Sequence, residues 1–159
     1  MTATDEPAAP GHLQAPFREL ADAATVCRLA ARALDSADAA GIVSALAGIH
    51  ERDLAHLRRL RAKVAHAAPE AAGATPVDDG MAGERARAAR GRVQLAHSRD
   101  GDRAVLAIVR ETQERVSRVY ERMRDDLALP GEFRTLAGAA LEELHRRHRR
   151  LEAAMRLAG

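Results

Sequence analysis

His50, Asp53 and His56 place three side chains with metal-ligand chemistry three residues apart. On a helix, at ~100° per residue, this spacing puts Asp53 in the middle and each histidine about 60° to one side. Asp53 also continues an apolar stripe of Ile42, Leu46, Ile49, Leu57, Leu60 and Val64. A carboxylate at the centre of such a stripe is costly unless it is paired or ligated. An arginine from a neighbouring helix would pair it. A metal would ligate it, and with His56 and His148 it forms a nitrogen and oxygen set of the type that suits one Zn²⁺ or Fe²⁺ ion. His50 and Glu111 are the additional candidate ligands.

His148 is preferred to His145, although Glu142 and His145 have the Glu-x-x-His spacing of a di-metal motif. With Leu144 and Leu151 facing inward, Glu142 points roughly 160° away, His145 lies at the flank and His148 falls inside the stripe. Cys27, in an Ala and Leu seam, reads as a small core residue, because burial raises a thiol pKa. As the sole cysteine it excludes an intramolecular disulfide and any CxxC pair. The run HRRHRR at 145–150 and the group Arg85, Arg87, Arg90 and Arg92 are candidate anion or nucleic-acid contacts. Glu142, Glu143 and Glu152 interrupt the first of them, which favours a solvated mixed-charge face.

These residues sit on long helical patterns. Leu13, Phe17, Leu20, Ala24, Cys27, Ala31 and Leu34 alternate spacings of four and three, predicting a helix over about 12–35. Ser36 to Asp38 supplies capping side chains before a second helix over 39–67. Pro69, Gly73, Pro76, Gly80 and Gly83 then punctuate a stretch incompatible with regular helix, followed by a short Ala-rich helix over 82–97. Val105, Val109, Thr112, Val116, Val119 and Met123 predict a helix over 102–127, with Asp100 or Asp102 as its cap. Leu129-Pro130-Gly131 stops it, and Phe133, Ala137, Leu141, Leu144, Leu151 and Met155 mark a last helix over 132–158. Pro7, Pro10 and Gly11 leave 1–11 as a disordered tail outside a bundle at 12–158.

Two short turns flank one long link, and that link is long enough to return along the whole bundle. This predicts an all-α, ferritin-like four-helix bundle with one long crossover, carrying the short extra helix, between helices 2 and 3. Composition agrees. Hydrophobic residues are 47% of the 159 but aromatics only 2%, which suits Ala, Leu and Val helices and offers little for stacking unpaired bases. TATDEPAAPG after Met1 lacks the basic and apolar runs of a secretion signal, and no stretch of about 18 apolar residues occurs. A cytoplasmic protein without membrane attachment is expected.

The order of two long helices, AAGATP, GERARAARGRV, ETQERVSRVYERM, DLALP and EFRTLAGAALEELHRRHRRLEAAM resembles a family of small bacterial ferritin-like proteins of unknown function, over about residues 13–157. The resemblance implies a ferritin-like bundle, a suspected metal-binding or stress role, and no settled reaction. A ferritin-type di-metal centre needs a Glu from each of two helices and Glu-x-x-His from the other two. Here helix 1 presents Leu20, Ala24 and Cys27 inward, helix 3 presents Thr112 with Glu111 at its flank, and Gln113 stands where the proteins it resembles tend to carry Glu. The expected protein is therefore non-enzymatic, lacks an intact di-metal centre and needs no cofactor. It acts by forming a homo-oligomer such as a dimer or by binding a helical partner, and nucleic acid is not the expected partner. The alternatives are a metal-binding or oxidative-stress protein with a reduced Fe or Zn site on helices 2 and 4, and an anion or nucleic-acid binder using the arginine clusters.

Overall fold

The computed structural model describes residues 13–67 and 79–158, and the secondary structure within them is helical. Helix α1 spans Gln14–Ala33, α2 Ala37–Ala67, α3 Asp79–Asp125 and α4 Gly131–Leu157. The expected tail at 1–11 and most of the Pro and Gly stretch lie outside the described residues. None of the described helices is long and apolar enough to cross a membrane.

Alternating spacings of three and four place one residue per turn on a common face, and the faces so marked are the ones that meet. Leu20, Cys27 and Ala30 of α1, Val43, Leu46 and Leu57 of α2, Val105, Val109 and Val116 of α3, and Phe133, Ala137 and Leu151 of α4 are all buried. Burying one such leucine contributes about 1.5–3 kcal/mol. Helix α1 packs against α2 and α3, and α4 against α3 and α2.

Helix α1 ends where Leu34 turns extended and donates its N–H to Ala30 O. Ser36 then accepts the Ala39 N–H at 3.2 Å through Oγ and so caps α2. Asp102 was expected to cap its own helix. Its carboxylate instead accepts the backbone N–H groups of Asp35 and Ser36, each at 2.8 Å, so α3 secures the turn between α1 and α2.

Helix α3 is two arms joined at a break, where Asp100 has φ −134° and Gly101 has φ 58° and ψ −145°. The short helix expected at 82–97 is the first arm, and it begins at Asp79. Gly80 and Gly83, read as helix-excluding, lie in its first turns, where the missing intrahelical bonds make glycine less harmful. In the first arm Arg85 meets Asp22 and His97 meets Asp35, so this arm advances alongside α1. In the second arm Asp102 meets Ser36, Gln113 meets His50 and Tyr120 meets Asp53, so residues 102–120 advance alongside α2. Lys63 Nζ lies 2.8 Å from Glu132 Oε1 and fixes the start of α4 beside the end of α2.

The backbone at Gly101 lies in a region that glycine alone occupies readily. A Cβ there would touch nothing within 4 Å, so the penalty for a side chain is conformational. Gly101→Ala is expected to destabilise by about 1–3 kcal/mol. Gly91→Ala, in the first arm with equally open space around its Cβ, should stabilise by about 0.5–1 kcal/mol. Urea denaturation of both variants reads the contrast, and equal midpoints would contradict it.

Candidate functional site

Among the described residues the buried polar ones are His50, Asp53, Thr112 and Gln113, and together with Cys27 and Tyr120 they form a layer across α1, α2 and the second arm of α3. Helical spacing explains the set. His50 and Asp53 occupy adjacent inward positions of the seam Val43, Leu46, His50, Asp53 and Leu57. Gln113 and Tyr120 are seven residues apart on one face of the second arm. Because this arm and α2 advance together, each residue of one pair meets its counterpart in the other.

Two hydrogen-bonded groups result. The Gln113 amide donates through Nε2 to Cys27 Sγ at 3.4 Å, while its Oε1 lies 3.0 Å from His50 Nε2. With the amide oxygen turned to the imidazole, His50 Nε2 is the donor, and Nδ1 is left without a partner. Beside it the Tyr120 hydroxyl donates to Asp53 Oδ2 at 2.9 Å, and the Arg52 guanidinium donates to Oδ1 through Nε at 3.2 Å and through its terminal nitrogen at 3.1 Å. Thr112 Oγ1 donates back to Ile108 O within its own helix.

Burial governs the protonation of this layer. It lowers the His50 pKa to about 4 against the opposing influences of Gln113 and of the Asp53 charge. It raises the Cys27 thiol to about 12, slightly offset by the Gln113 hydrogen bond. Tyr120 is also raised, by burial first and then by the neighbouring Asp53 carboxylate. At neutral pH the layer thus holds a neutral imidazole, a thiol and a phenol. A protonated thiol is a poor nucleophile.

The candidate ligands separate in space. Asp53 and His50 are buried, but His56 and Glu111 are exposed. His148, expected in the core stripe, is half-exposed, with Nε2 3.5 Å from Glu152 Oε1 on its own helix. The structure does not bring Asp53, His56 and His148 together. Among the described residues, the group of His, Cys, Asp and Glu side chains that does converge is Asp35, His97 and Asp102, whose ligand atoms lie within 4.8 Å of one another. Sequence reasoning missed Tyr120 and Gln113 as partners of the buried acid and imidazole. The available signal was the single tyrosine seven residues from Gln113 on one helix face, since a buried hydroxyl needs a partner.

No family model, curated protein or solved structure matches this chain. Its own side chains must therefore carry any reading of what it does. The arginine clusters are partly engaged. Arg85 pairs with Asp22, and Arg146 and Arg147 both donate to Glu143, whose pKa they hold down at about 2.

Proposed function

We propose that this chain is a non-enzymatic bundle of ferritin-like connectivity, in which a hydrogen-bonded polar layer fixes helix register and an outer face of α2 associates with a second copy. The observation that carries the first half is that Asp53, the buried acid of the seam, has both carboxylate oxygens engaged, by Tyr120 and by Arg52. Hydrogen bonds from Tyr120 to Asp53 and between Gln113 and His50 tie the second arm to α2 at one register and so favour one packing arrangement over its alternatives. The parallel advance of α2 and the second arm supports the one-crossover reading. The first arm, which advances alongside α1, would then form the return along the bundle, as in the small bacterial ferritin-like proteins that the sequence resembles.

Gly41, Ser44, Ala45 and Gly48 favour the association half of the reading, because they share one exposed face of α2 at helical spacing. A Cβ at Gly41 or Gly48 would meet nothing within 4 Å, so another helix can approach the backbone closely there. The face borders a groove of about 290 Å³, which Arg147 and Arg150 of α4 also line.

Sedimentation equilibrium tests the reading. The wild-type chain is expected to form a concentration-dependent dimer, and Gly48→Arg to shift it to monomer. The variant should itself be more stable by up to about 1 kcal/mol, since arginine favours helix over glycine, so loss of the dimer would not reflect unfolding. A wild-type chain that stays monomeric at every concentration would refute self-association.

A further inference from the structure

The α1–α2 turn, the end of the first arm of α3 and the start of its second arm meet at one corner of the bundle. Asp35, His97 and Asp102 come from these three places. His97 Nε2 lies 3.2 Å from Asp35 Oδ2 and 3.8 Å from Asp102 Oδ1, and all three ligand atoms fall within 4.8 Å of one another. We propose that these three side chains bind one divalent transition-metal ion of the zinc class, which clamps the α3 break onto the α1–α2 turn.

The distances suit such an ion. Zinc takes nitrogen and oxygen ligands at about 2.0–2.2 Å in a tetrahedron, which sets neighbouring ligand atoms roughly 3.3–3.6 Å apart. The two observed separations bracket that range, so small side-chain rotations complete the set. The charge also suits a cation, because two carboxylates face one imidazole. Asp102 is held in place from outside the group: the Ser36 N–H binds its Oδ2 and the Asp35 N–H its Oδ1. A carboxylate offers about four lone-pair sites, so Oδ1 retains one for a metal. Backbone N–H groups that orient a ligating carboxylate are the usual outer support of a metal site. The Asp35 side chain is 83% exposed, which leaves the fourth position to water.

This site is distinct from the Asp53 layer and independent of the association reading, since all three ligands belong to one chain. A tag-free full-length chain, stripped with chelator, would be titrated with Co²⁺ and read by its visible absorption, then with Zn²⁺ and read by thermal midpoint. The expected result is saturation at one Co²⁺ per chain with intense tetrahedral bands, and a midpoint that rises with Zn²⁺. His97→Ala should abolish both effects, Asp35→Asn should weaken binding about ten-fold or more, and His148→Ala should change neither. Asp35 is exposed, so its variant reports on binding even if His97→Ala folds poorly. Absence of saturable binding by the wild type, or binding that survives both substitutions, would mean that the three groups form only a histidine–carboxylate hydrogen-bonded cluster and would overturn the proposal.

Discussion

Tyr120→Ala is expected to destabilise the protein by about 4–5 kcal/mol, the largest effect of a single truncation outside the aliphatic core. Tyr120 is fully buried, so the change opens a ring-sized cavity and also removes the hydroxyl that holds Asp53 Oδ2 at 2.9 Å. Against a total stability of about 5–15 kcal/mol for a domain, that loss consumes much of the margin. Tyr120→Phe isolates the hydroxyl and should cost about 1.5–3 kcal/mol, the range for a hydrogen bond to a charged group. Asp53 would then depend on Arg52, whose side chain is 62% exposed and contributes little to stability.

The same pair should be strongly non-additive. Asp53→Leu leaves the Tyr120 hydroxyl buried without an acceptor and should cost about 1–3 kcal/mol. Combining it with Tyr120→Phe removes both polar partners at once and should recover most of that loss, because matched apolar replacement of a buried polar pair is often close to neutral. Urea denaturation of the two single variants and the double variant at pH 7 measures the coupling. Additive losses would show that the phenol and the carboxylate do not act on each other, and the account of Asp53 as a satisfied core acid would fail.

The helices were legible because their seams repeat. Val105, Val109, Thr112, Val116, Val119 and Met123 are all buried, as their spacing requires. The facing of individual polar residues was less legible. An apolar stripe defines a direction only to within about half a turn, and His50 and His56 lie symmetrically about Asp53 within that margin. The location of Gln113 decides between them: it faces His50, which is buried, and His56 turns to solvent. No local pattern on α2 contains that information. The same holds for Asp35 and His97, which are 62 residues apart in the chain and meet only because the first arm of α3 lies along α1. Asp53 was readable as a residue that needed a partner, whereas the partner depended on how far the second arm had advanced beside α2.

His50 should make the protein acid-sensitive over a defined window. Its pKa is near 6.5 in the unfolded chain and is lowered to about 4 in the fold, with burial as the main cause. Above 6.5 the imidazole is neutral in both states and adds no pH dependence. Between 6.5 and about 4 the unfolded chain takes up a proton that the folded chain refuses, so stability falls as the pH falls. That gap corresponds to roughly 3 kcal/mol across the window, and below about 4 the contribution is level. Glu143, which Arg147 and Arg146 hold at about 2 in the fold against 4.5 ordinarily, adds its own loss of stability as the pH falls through 4.5. It does so in the wild type and in a His50 variant alike, and cancels from their difference. His50→Gln retains an N–H that can donate to Gln113 Oε1 and does not titrate, so it should flatten the dependence while keeping most of the stability at pH 7.5. Unfolding free energies of both proteins from pH 7.5 to 4 provide the comparison. A variant as acid-sensitive as the wild type would show that His50 is protonated in the fold. The donor to Gln113 Oε1 would then be an imidazolium beside the Asp53 carboxylate, instead of the neutral imidazole that burial favours.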